Sequence, residues 1–516
     1  MALSRFILNS SPISLSAIGE LLHSGQTLAL HEEVCKAVLE SRSVVDDVLT
    51  SADRTYYGIN TGFGKFADVR ISAADIDELQ RRLVLSHAAG VGAAMPDEVV
   101  RAMILAKIIS LSRGYSGIRL VTLQLLIDMF NARIIPLIPE QGSVGASGDL
   151  APLAHLALVL IGQGRARYKG TIHSGVEALT KAGLKPIQLR AKEGLAILNG
   201  TQASAAFALH NVLAARRLIA SANCIGALGV EALNGTPAAF HSEIHRVRGQ
   251  LGQQRVAAAI RTLLRDSEIT AAHRDSKHRV QDAYCLRCIP QVHGAVRDAL
   301  DHAELILTRE INGVTDNPLV FAASGEVISG GNFHAEPLAL VMDYLAIALT
   351  DLGNIAERRI AHYLDSTMSE LPPFLVTNGG LNSGFMMAHV TAAALTSENK
   401  SLAHPASVDT IPTSANKEDH VSMSTWAARK CRQVTDNLSH ILAIELLCAV
   451  QALDLRRPLR GARLSEEVYE LVRGQVPFWE NDREMGRDIA TAKELLQESR
   501  FIDILLRFEL LNAEEK

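Results

Sequence analysis

The chain has 516 residues, enough for more than one domain's worth of core, and its 48% hydrophobic and 21% charged residues are the balance of a globular protein. Its 51 basic and 56 acidic side chains are well mixed and sum to −5, which leaves no basic stripe for a nucleic acid to follow. Aromatic residues make up 4%, and with Ala and Leu abundant the composition favours helix over sheet.

The opening "MALSRFILNSSPISL" has no basic segment leading into a sustained apolar core, so no secretion signal is expected. "TYYGINTGFG", residues 55–64, reads as a glycine-punctuated loop, and 71–92 as a helix capped by Ser72 and ended by glycine. A second helix is predicted from Pro96, with Val100, Ile104, Ile108 and Leu111 on one face. "ARIIPLIPEQ" is a short extended or loop segment, broken by Pro136 and Pro139, and runs into "GSVGASGDL" at 142–150.

Long helices are predicted beyond residue 200: 201–233 without a proline, 338–364, 386–403, and from Ser424 to 455. Several are apolar on more than one face, which suits burial against other subunits as well as their own. The last fifty residues return to charged amphipathic helices. The expected division is 1–200, a central long-helix bundle at 201–460, and a helical segment at 461–516.

The longest charge-free stretch, 371–397, holds "LPP", "NGG" and "NSG", which no membrane helix tolerates together, so a soluble, cytoplasmic protein is expected. Six cysteines are scattered, and "CLRC" at 285–288 has neither a second CxxC nor a thioredoxin-like frame. Reduced thiols and no metal are expected of them.

Three glycines in seven positions of "GSVGASGDL" call for an unusual backbone path. A phosphate cradle would need a following lysine and no acid at 149. A nucleophile elbow needs G-x-S-x-G, and here the second glycine comes one place early. An ordinary turn and helix N-cap is compatible with "SGDLAPLAHLALVL". So is a peptide that rearranges: the Gly148 amide nitrogen attacks the Ala146 carbonyl, and loss of water from ring closure and from Ser147 leaves an electron-poor methylene.

"GSVGASGDLAPLAHLA" resembles the signature of the aromatic amino acid ammonia-lyases, which build a methylidene-imidazolone (MIO) group this way. The likeness runs from "YYGINTGFGKFADV" to "SANKEDHVSM", nearly the whole chain. With Ser86-His87 in "LVLSHAAGVG", it is similar to the histidine-specific branch of that family. The resemblance implies elimination of ammonia from L-histidine to give trans-urocanate, with MIO made from Ala146, Ser147 and Gly148 and no external cofactor.

It further implies Tyr57 as base near the β-carbon, for which its pKa must fall. Asn199, Gln281 and Tyr284 would bond the MIO or the leaving amine, and Arg287 would clamp the substrate carboxylate. Phe333 would wall the pocket, Met386 would lie against the ring, and His87 and Glu418 would recognise the imidazole, Glu418 also taking part in proton transfer. The implied fold is mainly helical, with a central bundle of long helices beside a smaller mixed N-terminal region. The implied assembly is a homotetramer whose sites draw on three chains.

Lys417, His389 and His293 depart from the pattern of the histidine branch. Lys417 sits beside the specificity carboxylate and keeps a modified histidine such as ergothioneine open as substrate. The same motifs are also compatible with a tyrosine lyase, an aminomutase, an inactive structural relative, or a serine hydrolase acting through Ser147.

Overall fold

The computed structural model describes residues 4–50, 55–273 and 280–511. The chain is mostly helical, and its strands form four small sheets of two or three strands each among the described residues. The long predicted helices form nearly where their patterns place them: Gln202–Ala232, Glu336–Leu364, Met386–Leu402 and Ser424–Leu455. Each is an unbroken Ala- and Leu-rich run, and each stops where Gly, Asn, Pro or Ser clusters begin.

By its internal contacts the chain divides into two compact units. One comprises Met1–His210, Glu304–Met342 and Pro405–Arg429; the other comprises Asn211–Ala303, Asp343–His404 and Lys430–Lys516. The boundaries after His210, Ala303, Met342 and Arg429 fall inside helices, so this division is discontinuous in sequence, unlike the three consecutive segments expected. Helices of this length pass through more than one packing environment, which a reading along the chain does not separate.

In the first unit, helix Asp97–Leu111 is buried on all sides from Ala102 onward, which explains why its apolar pattern is broader than a single stripe. The proline-broken segment at 132–141 pairs in two short pieces: Ile135–Pro136 with Arg165–Tyr168, and Pro139–Gln141 with Val91–Ala94, both antiparallel. The helix expected from Ser72 begins at Ile76 instead. The Ser72 hydroxyl donates to the Asp75 carboxylate (2.6 Å), and the Asp75 amide donates to the Ser72 carbonyl (3.0 Å), so those residues form a turn ahead of the helix. That helix ends at His87, before the glycines.

The second unit is built on the remaining lengths of the long helices. Its buried charges are paired there: Arg359 with Glu445 (2.5 Å) and Lys430 with Asp343 (2.5 Å). Three helices are long and apolar enough to cross a membrane: Gln202–Ala232, Glu336–Leu364 and Ser424–Leu455. Their most apolar windows are 83%, 67% and 83% buried within the protein, so packing accounts for most of that apolarity. A stripe on the second of them, Leu340, Tyr344 and Ile347, stays exposed at 45–54%.

Candidate active site

The glycine-rich loop precedes helix Leu150–Leu160, with Asp149 at the N-cap position, yet the Asp149 side chain does not cap it. Fully buried, its carboxylate accepts from the hydroxyls of Ser143 (2.8 Å), Ser204 (3.0 Å) and Thr425 (2.7 Å) and from the Ser204 amide (2.7 Å). The acid therefore fastens the loop to two distant segments, and the simple turn-and-cap reading is corrected on that ground. From the same side, Ser422 Oγ donates to the Gly145 carbonyl (3.0 Å), and the Met423 amide donates to the Val144 carbonyl (2.8 Å).

Gly148 needs its missing side chain. Its φ is +73°, and a Cβ there would overlap the carbonyl oxygen of Gly200 and lie 2.7 Å from the Gly200 nitrogen. Gly148 and Gly200 form a parallel bridge, and the Asp149 amide donates to the Gly200 carbonyl (2.7 Å).

Ala146 and Ser147 line a cavity of about 930 Å³ in the first unit, together with Tyr57, His87, Asn199, Phe333 and Glu418. Ser147 Oγ donates to Glu418 Oε1 at 2.6 Å, and Asn199 Nδ2 donates to the Ser147 carbonyl at 3.0 Å. Asn199 Oδ1 is buried with no hydrogen-bond partner, so one acceptor beside the Ala-Ser-Gly segment is left over. The other Glu418 oxygen accepts from Thr413 Oγ1 (2.6 Å) and Ser414 Oγ (2.8 Å).

Burial alone would raise the Glu418 pKa. The hydroxyls of Ser147, Thr413 and Ser414 and the nearby His87 outweigh it and hold the carboxyl below its usual value, as an anion. His87 is pushed down by burial, against the opposing pull of the Leu83 carbonyl and Glu418. Its Nδ1 faces that carbonyl at 2.9 Å, which places the proton on Nδ1 and leaves Nε2 as an acceptor.

Tyr57 goes the other way from the expectation. Burial raises its pKa, the Gly64 amide lowers it and the Glu418 charge raises it further, so the phenol keeps its proton in the chain as it stands.

Beneath Asn199 lies a residue that the sequence did not single out. Lys107 is fully buried in helix Asp97–Leu111, and its ammonium donates to the carbonyls of Asn199 (2.7 Å) and Ala196 (3.2 Å). Burial pushes its pKa from 10.5 down to about 7. The unfolded chain then holds a proton that the folded chain releases, so Lys107 makes stability rise with pH from about 7 to 10.5 and is flat on either side. Lys107→Met is expected to lose that rise, as read by denaturant unfolding at several pH values. An unchanged pH slope would contradict the assignment.

Comparison with known proteins agrees with this geometry. The sequence profile of the aromatic amino acid lyases matches residues 13–474. The chain belongs to the aromatic amino acid lyase family. It is 54% identical over 486 residues to the histidine ammonia-lyase of Vibrio cholerae, covering 94% of this chain and 95% of that one. Its fold matches the crystal structure of histidine ammonia-lyase from Trypanosoma cruzi with a TM-score of 0.91 at 42% identity, covering 99% and 96% of the two chains. It also matches the Pantoea agglomerans phenylalanine aminomutase, at 0.91 and 36%, over 96% and 99%.

In this aromatic amino acid lyase the remaining expected site residues belong to the second unit. Tyr284 and Arg287 lie on the short helix Tyr284–Arg287, with the guanidinium 4.5 Å above the Tyr284 ring and its Nε buried without a hydrogen-bond partner. Gln281 is exposed just before it, and Met386, 38% exposed, opens helix Met386–Leu402.

Two of the three departures from the histidine branch are absorbed by that unit's packing. His293 is buried between Asn223 Oδ1 (2.9 Å) and Arg359 (3.4 Å), and His389 pairs with Glu357 (2.7 Å). Lys417 lines the cavity.

Sequence reading also missed Thr413 and Ser414, which hold Glu418. Two hydroxyl residues four and five positions before an acid, in "TSANKE", were the available signal.

Proposed function

We propose that the chain eliminates ammonia from L-histidine to give trans-urocanate. The observation that carries this reading is one cavity in which an anionic Glu418 and a neutral His87 stand beside Ala146-Ser147 and Asn199. The names of the relatives at 42–54% identity support the same substrate.

We propose further that Ala146, Ser147 and Gly148 cyclise to MIO. The residues fit that group: small side chains flank Ser147, Gly148 holds a positive φ against Gly200, and Asn199 presents a donor to the Ser147 carbonyl and an unused acceptor. Once formed, the group supplies an electrophile that makes the amino group able to leave.

The chain's own residues do the rest. Glu418 accepts one imidazole N–H, and His87 Nε2 accepts the other when the ring is protonated. Tyr57 takes the β-proton, and the cation it needs nearby to release its own proton is the substrate's ammonium group. Arg287, with five donors and its Nε left without a hydrogen-bond partner, is suited to the substrate carboxylate. The exposed stripe of Leu340, Tyr344 and Ile347 supports an assembly of several chains, proposed here as a homotetramer with shared sites.

Lys417 supports a second reading, a histidine carrying a thione. Assays with L-histidine, a thione-bearing histidine betaine, tyrosine and phenylalanine separate these, with ammonia and the olefinic acid as readouts. Release of a β-amino acid instead would mean an aminomutase. Histidine turnover together with an intact mass short of two waters is the expected result; a full mass with no turnover overturns the proposal. Glu418→Gln removes one charge-assisted hydrogen bond, so kcat/KM for histidine is expected to fall about 10- to 100-fold. An unchanged value would mean that another group reads the ring.

A further inference from the structure

The exposed edge of the same cavity holds a cluster that the elimination does not use. His334 and His420 both line the cavity, and Glu336 opens helix Glu336–Leu364 two residues after His334. His334 Nδ1 lies 4.0 Å and His420 Nε2 lies 3.9 Å from the same oxygen, Glu336 Oε2. The donor atoms of all three fall within 4.8 Å of one another. The two imidazoles are stacked, with ring centroids 5.6 Å apart and planes 2° from parallel.

We propose that His334, Glu336 and His420 form a binding site for a divalent transition cation of the zinc class. Two imidazoles and one carboxylate are a common ligand set for such an ion, with water completing the shell. A second observation points the same way. His334 Nε2 lies 3.2 Å from the His420 carbonyl, a bond that places the ring proton on Nε2 and leaves the Nδ1 lone pair facing Glu336. A ligating histidine usually has its other nitrogen anchored in this manner.

Metal bonds of about 2.0–2.2 Å in a tetrahedron put donor atoms roughly 3.4 Å apart. The two His–Glu pairs therefore have to close by about half an ångström each. His420, 69% exposed at its side chain, and Glu336, at 32%, have the freedom to do so.

The position gives the site its meaning. His334 follows Phe333, and His420 stands two residues after Glu418. A bound ion ties the segment that walls the cavity to the segment that carries its carboxylate and occupies the cavity's open edge.

The test uses the full-length protein after treatment with a chelator. Co2+ is expected to give a visible absorption band saturating at one ion per chain, displaced by Zn2+. Calorimetry with Zn2+ should show affinity falling about tenfold or more in His420→Ala and in Glu336→Gln. His389→Gln, which alters another His–Glu pair, should leave binding unchanged. Circular dichroism checks that each variant is folded. Absence of the band, equal affinity in folded His420→Ala, or a thiolate-to-cobalt charge-transfer band marking Cys285 and Cys288 as the ligands would each overturn the proposal. None of these readouts depends on which amino acid the enzyme consumes.

Discussion

Ser147→Ala is expected to fold like wild type and to turn over histidine at least about 10³-fold more slowly, roughly 4 kcal/mol or more in activation free energy. The substitution deletes one oxygen at a cavity wall. The structural loss is small, because Glu418 keeps its bonds from Thr413 and Ser414, and the Asn199 bond is to the Ser147 backbone. The chemical loss is complete, because alanine has no hydroxyl to eliminate and the methylene cannot form. Histidine should still bind, as measured by calorimetry, and the intact mass should show no dehydration at 147. Activity within tenfold of wild type would end the MIO reading.

Gly148→Ala is expected to fail by a different route. The positive φ costs an alanine about 1–2 kcal/mol, and forcing its Cβ against the Gly200 peptide adds about 1–3 kcal/mol more. What the Cβ meets is backbone, which cannot swing away like a flexible side chain. A lower unfolding midpoint is expected together with an undehydrated mass. Gly183→Ala is the control, since Gly183 has a similar φ of +75° but open space around it, so it carries the strain without the overlap. Equal destabilisation by the two substitutions would mean that the close approach of Gly200 to the loop is not what requires glycine.

The long helices were legible because their signal is local: proline-free apolar runs bounded by breakers, recovered to within a few residues at 201–233 and Ser424–455. The cavity was legible in another sense. Tyr57, His87, Ser147, Asn199, Phe333 and Glu418 come from stretches far apart in the chain, and family resemblance rather than spacing brought them together. Residue chemistry alone left "GSVGASGDL" open to more than one reading.

What stayed hidden depends on partners that no local pattern encodes. Asp149 looked like a helix cap, and its real partners are 6, 55 and 276 positions away. Lys107 sits in an apolar helix, where a lysine is ordinarily assigned to the solvent face. Its two carbonyl partners, 89 and 92 residues on, are what allow it inside. The phenol of Tyr57 was expected to be acidified, but the groups that surround it in the chain do the reverse.

The bond between Ser147 Oγ and Glu418 Oε1 sets an order of events. The carboxylate oxygen assigned to the substrate ring is occupied for as long as the serine hydroxyl exists, and it falls vacant when that hydroxyl leaves as water. On the proposed cyclisation, a newly made chain would keep its recognition group engaged while the electrophile is unfinished, and the dehydration of Ser147 would also clear the seat for the substrate. Catalytic competence and substrate affinity would then be acquired together, with no separate signal to synchronise them.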